Sequence, residues 1–211
     1  MDLDPDRTLA LAYVPAAARP AVEALWRLDV AFAAILATGT QPMISQMRLA
    51  WWREALERLD EAPPPAEPVL QALAAEVLPV VNSAELAAME EGWLMLTSEH
   101  ALTAEALADY ARLRGGLLFT YTARLLGDSS FPVALAGEAW AVGDLARHSR
   151  RVGEIKSPGP AGKVKWPRKL RPLGMLAMLA RRDLERLGAK REKKGSPARI
   201  LRMIRHRISG Y

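Results

Sequence analysis

Apolar residues recur three or four positions apart along most of this 211-residue chain, the spacing that places them on one face of an α-helix. Residues 20–38 show the pattern best, between Pro20, which suits the first turn of a helix, and Gly39, which suits its end. The apolar face of this helix comprises Leu25, Leu28, Phe32 and Ile35. Val, Ile and Thr are sparse beside Ala, Leu, Arg and Glu, a balance that favours helix over sheet. The sequence therefore predicts an all-α fold.

The same spacing predicts six to eight helices around one core. The further helices are predicted over residues 43–60, 68–80, 82–96, 103–127, 131–152, 172–188 and 197–208. Asn82 or Ser83 and Thr103 are the residue types that cap helix N-termini. Gly115 and Gly116 interrupt the helix over 103–127, at a cost of about 1 kcal/mol each relative to alanine. The pair therefore predicts close approach of another backbone or of a ligand, with a simple kink as the alternative.

Two adjacent tryptophans lie in the helix predicted over residues 43–60. Neighbours on a helix point about 100° apart, so Trp51 and Trp52 cannot share the centre of one apolar stripe. The main stripe of this helix comprises Leu49, Trp52, Leu56 and Leu59. Trp51 falls on its shoulder, with Met47 and Ala55.

Charge divides the chain into an acidic body and a basic end. Residues 1–162 carry 13 Lys and Arg against 21 Asp and Glu, a net charge of −8, whereas residues 163–211 carry 16 against 3, a net charge of +13. The basic end suits an acidic protein partner, an anionic membrane surface or phosphate, and a solvated face is the plain alternative. Nucleic acid is a poor candidate because the chain contains no recognisable nucleic-acid-binding module.

The terminal helix is both basic and amphipathic. Its apolar side comprises Ile200, Leu201, Ile204 and Ile208, and its charges are Arg199, Arg202, Arg205 and Arg207. A helix of this kind docks on its own bundle, lies on an anionic membrane or holds a partner.

The chain contains no cysteine, which excludes disulfides and thiolate metal sites. Its first residues lack the basic and continuous apolar regions of a signal peptide. No run approaches the roughly 18 apolar residues that a membrane span requires. We therefore expect a cytoplasmic protein, with peripheral attachment at the inner face of a membrane as a further option.

Five stretches occur in an order and spacing that resemble the squalene/phytoene synthase family. They are ALWRLDVAFAAILA, RLAWWREAL, YARLRGGLLFTYTARLLG, AGEAWAVGDLARHSRRVGE and KVKWP. The resemblance implies a single helical bundle of the isoprenoid synthase type over residues 1–170. Only 44 residues (211 minus 167) follow KVKWP, so by the resemblance we expect a C-terminally shortened bundle. Residues 171–211 are expected to form basic helices packed on the bundle or extending from it.

The catalysis of this family depends on two acidic motifs whose carboxylates hold Mg²⁺ against a prenyl diphosphate. The resemblance places the first motif on Ala33, Ala34 and Ala37, where no side chain can coordinate a metal. In the second motif Arg147 matches a family arginine, Asp144 stands where an amide is usual, and the acidic positions fall on His148, Arg151 and Val152. Because methyl groups and cations replace most metal ligands, we expect no metal cofactor and no ordinary prenyl transfer.

The resemblance also assigns candidate positions around the family's central cavity, where an isoprenoid ligand would lie. These positions are Arg48, Trp51, Trp52, Tyr110, Gly116, Tyr121 and Arg147. Trp52 is expected in the core and Trp51 toward that cavity or a neighbouring helix, and ordinary packing is the alternative for all the aromatic members. Asp144 and His148 are four positions apart, a spacing compatible with metal binding, but the sequence suggests no third ligand. An ordinary surface pair or cap is therefore the better interpretation.

The sequence favours a non-catalytic protein that acts as a binding or assembly scaffold. The resemblance extends to degenerate family relatives that include a mitochondrial respiratory complex I assembly factor, which implies assembly of a membrane or respiratory complex. One alternative is an active prenyl-diphosphate transferase of isoprenoid biosynthesis, with Mg²⁺ or with Arg48, Arg53 and Arg147 at an altered diphosphate site. Another is a peripheral membrane adaptor that uses the basic end.

Overall fold

The computed structural model describes residues 2–39, 41–98, 102–148, 164–186 and 192–211. Within these ranges all regular structure is helical, which confirms the all-α prediction. The α-helices are α1 (Pro5–Ala12), α2 (Arg19–Thr38), α3 (Pro42–Glu57), α4 (Pro68–Glu76), α5 (Ser83–Leu94), α6 (Ala104–Tyr110), α7 (Leu117–Leu125), α8 (Ala134–His148), α9 (Arg171–Glu185) and α10 (Pro197–Ser209). A π-helical segment, Ala111–Gly116, joins α6 to α7, and 3₁₀ turns lie at Met95–Thr97 and Arg168–Leu170.

The helix count exceeds the predicted six to eight for two reasons. First, α1 has its own start signal, although it was not among the predicted helices. The side chain of Asp4 accepts hydrogen bonds from the amides of Asp6 and Arg7, and Pro5 occupies the first helical position. Second, the helix predicted over 103–127 divides into α6, the π-helical segment and α7.

The long helix α2 lies at the centre of the core and packs against α1, α3, α4, α5 and α7. All four residues of its predicted apolar face are buried. The stripe predicted on α3 is buried as well, from Leu49 to Leu59 beyond the helix end. The apolar periodicity therefore identified the core-facing sides of both helices.

The double glycine lies where two backbones touch. A Cβ atom at Gly115 would lie 2.0 Å from the carbonyl oxygen of Gly137 in α8, far closer than a methyl group can approach. The predicted close approach of another backbone is therefore confirmed at Gly115. The local π-helical turn also explains how the chain accommodates the contact without ending the helix.

The two basic helices at the C-terminal end pack on the bundle. Helix α9 lies against α8 and α1, and α10 lies against α9 and α1. The face of α10 that meets the bundle contains Arg199, Met203 and His206. Arg199, which the sequence analysis placed on the charged side, is therefore buried, while Leu201 and Ile208 are exposed. The division at residue 170 stays a prediction.

A membrane-crossing helix would need a long, continuously apolar stretch. In the part of the chain that the structure describes, no helix meets that requirement.

Candidate functional site

A fully buried guanidinium occupies the middle of the bundle. Arg114 extends from the π-helical segment and binds Asp29 of α2 through two hydrogen bonds, Nε to Oδ1 at 2.8 Å and Nη2 to Oδ2 at 3.1 Å. Its Nη2 also donates to Asp144 Oδ2 of α8 at 2.8 Å, and its Nη1 donates to the hydroxyl of Tyr110. One cation thus joins carboxylates from α2 and α8.

A second arginine completes this group, which we call the central cluster (Arg7, Asp29, Tyr110, Arg114 and Asp144). Arg7 of α1 places its Nη2 2.9 Å from Asp29 Oδ2. Asp29 is therefore hydrogen-bonded to Arg114 and ion-paired with both guanidiniums, while its side chain is completely buried. A buried carboxylate is stable only when it is paired and hydrogen-bonded in this way.

Aromatic rings enclose the two guanidiniums. The Cζ atom of Arg114 lies 4.2 Å from the ring centroid of Trp93 and 4.8 Å from that of Trp140. The Cζ atom of Arg7 lies 4.7 Å from the same Trp140 ring. Arginine stacks on aromatic faces and forms bidentate pairs at the same time, so these contacts fix the orientation of both cations.

The charges of the central cluster shift its ionisation equilibria. Burial opposes ionisation of Asp29, but the Arg114 and Arg7 guanidiniums outweigh it and hold the pKa of Asp29 below its ordinary value. Burial likewise opposes ionisation of Asp144, while Arg114, His148 and Lys194 hold the pKa of Asp144 well below its usual range. Burial raises the pKa of Tyr110 to about 12. Both carboxylates are therefore anionic at neutral pH.

The two ends of the chain add a second group, the terminal ion pairs. Lys194 Nζ bridges Asp4 Oδ2 at 3.2 Å and Asp144 Oδ1 at 2.8 Å. Arg199 Nη2 lies 2.8 Å from Asp6 Oδ2, and its Nη1 lies 2.8 Å from Asp183 Oδ1. Residues 4–6 and 194–199 are thereby bound to each other and to α8 and α9.

A cavity of about 20 Å³ lies between the central cluster and the terminal ion pairs. That volume accommodates about one water molecule and is far too small for a prenyl chain. Its lining includes Arg7, Trp140, Asp144, Arg147 and Lys194. The described interior at this point holds an ion-pair network and not an open substrate pocket.

In this arrangement the carboxylates of Asp29 and Asp144 are paired with side-chain cations. Within the described ranges, no group of three or more His, Cys, Asp or Glu side chains is placed to hold a metal ion. Mg²⁺ requires oxygen ligands in near-octahedral geometry. Asp29 and Asp144 would have to release Arg114 before they coordinated such an ion.

The predicted cavity residues lie in several places. Tyr110 belongs to the central cluster, and Arg147 lines the small cavity with its Nη2 2.6 Å from Asp183 Oδ2. Tyr121 is buried on α7, and Gly116 lies against the Glu138 side chain. Arg48 is exposed on α3. A ligand-binding role for these residues stays a prediction.

The tryptophan pair separates as the helical geometry requires. Trp52 is buried and packs edge-on against Phe32, with the ring centroids 5.9 Å apart. Trp51 packs edge-on against Trp52, with the ring centroids 5.6 Å apart, and its side chain is 48% exposed. The placement of Trp52 in the core is confirmed, whereas Trp51 presents much of its ring to the outside of α3.

The positions that the resemblance assigns to the acidic motifs carry no ligand set. Ala33 and Ala34 are half-buried on α2, and Ala37 is exposed near its end. His148 is exposed, with its Nε2 3.7 Å from Asp144 Oδ1. The interpretation of Asp144 and His148 as an ordinary surface pair is wrong for Asp144, because Arg114 and Lys194 draw its carboxylate into the interior. Arg151 and Val152 lie outside the described residues.

A comparison with protein-family profiles agrees with the helical arrangement. The profile described as squalene/phytoene synthase matches residues 2–155. This chain belongs to the squalene/phytoene synthase family. The match contains α1 to α8, and so includes every residue of the central cluster. Comparisons with curated proteins and with solved structures found no match.

Arg7, Asp29 and Arg114 of this family member were not predicted as a group from the sequence. A usable signal was present, because Asp29 and Arg114 are charged residues within predominantly apolar helical faces. A charge in such a position needs a buried partner. The partners themselves are 85 residues apart, a separation that helical periodicity does not address.

Proposed function

We propose that this protein is a non-catalytic member of the squalene/phytoene synthase family that acts as a binding or assembly scaffold. The observation that supports the proposal is the position of the Arg114 guanidinium between Asp29 of α2 and Asp144 of α8. By the family resemblance, α2 and α8 are the helices that carry the two acidic motifs. The carboxylates that these two helices bring together, one helical turn before the motif positions, are therefore bound to an internal cation.

The energetics of that cation support loss of the metal-diphosphate chemistry. Separating a buried ion pair leaves an uncompensated charge and costs about 3–5 kcal/mol. Mg²⁺ would also meet alanine side chains at positions 33, 34 and 37, which supply no ligand. Diphosphate departure without the metal would leave its developing charge unstabilised.

The outer surface of α3 supports a binding role. Met43 and Met47 are 70% and 67% exposed, and Trp51 continues their stripe one helical turn further along. Met and Trp are enriched at protein interfaces, because a flexible thioether and a large ring both adapt to an apolar partner surface. The partner is accordingly a protein with an apolar contact surface, and a respiratory or membrane complex is the form that the family resemblance suggests.

A turnover assay tests the loss of catalysis. Purified protein incubated with farnesyl or geranylgeranyl diphosphate and Mg²⁺ is expected to form no more product than a protein-free control. Calorimetry should detect no Mg²⁺-dependent binding of either diphosphate. Product at an ordinary enzymatic rate, on the order of 1 s⁻¹ or more, would refute the proposal. Tight diphosphate binding, with or without Mg²⁺, that disappears in Arg147→Ala would instead support an active transferase.

A capture experiment tests the scaffold role. Tagged protein is used to isolate bound proteins from its own cells, beside a Met47→Ser/Trp51→Ser variant. A genuine partner should be retained by the unmodified chain and reduced about tenfold by the double substitution, because that removes large apolar contacts. Leu135→Ser is the matched control, since Leu135 is exposed on α8, away from α3. Equal capture by all three proteins would count against α3 as the binding face.

A further inference from the structure

Helix α10 has an inner face that is fixed to the bundle. Met203 and His206 are buried there, and Arg199 is bound by Asp6 and Asp183. Arg171 of α9 donates to the carbonyls of Arg207 and Ile208 at 2.9 and 2.8 Å. These contacts hold the helix in one orientation, so its opposite face is presented at a defined place on the molecule.

The opposite face carries large apolar side chains. Leu201 is 69% exposed and Ile208 is 74% exposed, with Ile204 half-buried between them. The spacing of three and then four residues places them in one stripe, which we call the outer stripe (Leu201, Ile204 and Ile208). Monomeric proteins seldom leave such a row of aliphatic side chains in water without a function.

Further exposed residues adjoin the C-terminal end of the outer stripe. The amide of Trp166 donates to the carbonyl of Gly210 at 2.9 Å, which brings residues 164–166 beside the end of α10. Val164 and Tyr211 are exposed there, and Lys165 Nζ lies 5.9 Å from the Tyr211 ring centroid. An aromatic ring with a polar tip beside a lysine is the pairing that membrane interfaces favour.

Positive charge borders this apolar surface. Arg205 lies exposed on α10, and Lys165 and Arg168 are exposed near its end. Residues 193–211 contain no Asp or Glu. The nearest acidic side chain before them, Glu192, is engaged by Arg202 at 3.0 Å. The exposed charges that α10 and residues 165–168 themselves contribute beside the outer stripe are therefore positive, which complements an anionic surface.

We propose that the outer stripe docks this protein on an anionic membrane, with α10 lying in the plane of the interface. Apolar side chains enter the boundary between headgroups and acyl chains, while the surrounding cations meet anionic headgroups. At 1.5 Å per residue, the 13 residues of α10 give a contact about 20 Å long. The proposal goes beyond the scaffold function and does not depend on whether catalysis is lost.

Vesicle flotation of the full-length protein tests this surface. The vesicles are phosphatidylcholine alone, or phosphatidylcholine with about 30% phosphatidylglycerol. We expect flotation with the anionic vesicles only, weakened at roughly 0.5 M salt because screening removes the headgroup attraction.

Two double variants identify the side chains responsible. Leu201→Ser/Ile208→Ser should reduce the partition coefficient about tenfold or more, since each substitution removes apolar area from the membrane contact. Met43→Ser/Met47→Ser, which removes two equally exposed apolar side chains from α3, should float like the unmodified protein. Circular dichroism should show that both variants retain their helices.

Three outcomes would overturn the proposal. They are absence of flotation with anionic vesicles, equal flotation of the Leu201→Ser/Ile208→Ser variant, and loss of flotation in the α3 variant instead. Light scattering in the absence of lipid tests for self-association as well. The proposal would also be overturned if the unmodified chain formed a dimer but bound no vesicles, and if the Leu201→Ser/Ile208→Ser substitutions dissociated that dimer. The flotation assay contains no prenyl diphosphate, so its result is independent of the turnover assay.

Discussion

Arg114 illustrates how much one side chain determines in this fold. It is one of the largest side chains with less than 2% of its surface exposed, and it contacts Asp29, Asp144 and Tyr110 together. A lysine would supply a single ammonium, whereas the planar guanidinium divides its donors among three acceptors and stacks on Trp93. The same geometry that stabilises the interior thus holds both carboxylates on one guanidinium.

Neutralising one partner should reveal the strength of the central cluster. Asp29→Asn keeps the side-chain shape but removes the anion that Arg7 and Arg114 share. We expect the free energy of unfolding to fall by about 3–5 kcal/mol, because two buried cations lose their common counter-charge. Urea denaturation measures the change.

Asp109→Asn is the control for this substitution. Asp109 pairs with Arg112 at 2.9 Å, and both side chains are substantially exposed. An exposed pair of this kind contributes about 0–1 kcal/mol, so its removal should have little effect. Equal destabilisation by the two substitutions would show that Asp29 is no more important to the fold than a surface acid.

At the scale of elements, the crossing of the π-helical segment and α8 depends on two glycines. A Cβ at Gly115 would meet the backbone of Gly137, and a Cβ at Gly137 would lie 2.1 Å from the carbonyl oxygen of Gly115. Backbone atoms cannot rotate away as a flexible side chain can. The distance between these two elements is therefore set by the lack of side chains on both of them.

Adjacent alanine substitutions should have opposite effects at this crossing. Gly115→Ala forces the two backbones apart, and we expect it to destabilise the protein by about 1–3 kcal/mol or more. At Gly116 the nearest atom to an added Cβ is 3.5 Å away, on the flexible Glu138 side chain. Gly116→Ala should therefore be neutral or stabilise by up to about 1 kcal/mol through helix propensity.

Thermal unfolding of the two variants beside the unmodified protein measures the contrast. A similar melting temperature for Gly115→Ala and Gly116→Ala would contradict the contact.

Local signals in the sequence were sufficient to predict most helices but not their pairing. Asn82 caps α5 in a capping box with Glu85, and the Thr103 side chain caps α6, as their positions indicated. The buried stripes of α2 and α3 follow directly from a period of 3.6 residues. The partners of Arg114 do not, because Asp29 and Asp144 are 85 and 30 residues away from it and periodicity specifies a face without specifying its neighbour.

For the molecule as a whole, the charge asymmetry of the sequence has a structural use. The acidic start of the chain meets the basic end, since Asp4 binds Lys194 and Asp6 binds both Arg199 and the amide of Gly195. Part of the excess positive charge is thus neutralised inside the protein. Exposed cations border the outer stripe of α10. Ion pairs between acidic and basic residues thus hold the two ends of the chain together, and the exposed cations form a basic surface.

The docking of α10 should also make global stability depend on pH. Burial lowers the pKa of His206 from its ordinary value of 6.5, the Tyr211 backbone opposes the shift, and Arg171 and Arg181 reinforce it. The folded state therefore binds fewer protons than the unfolded state as the pH falls. The contribution of neutral His206 is fully present above about pH 6.5 and is lost progressively below it, by at most about 1.4 kcal/mol per pH unit.

Comparing the unmodified protein with a His206→Gln variant separates the effect of His206 protonation on stability from the effects of the other titrating groups. Burial raises the pKa of Glu90 from its ordinary value of 4.5, so Glu90 gives a slope of opposite sign in both proteins and cancels in the difference. Urea midpoints between about pH 7.5 and 5 should fall more steeply for the unmodified chain than for His206→Gln. Parallel curves for the two proteins would show that protonation of His206 does not oppose the docking of α10.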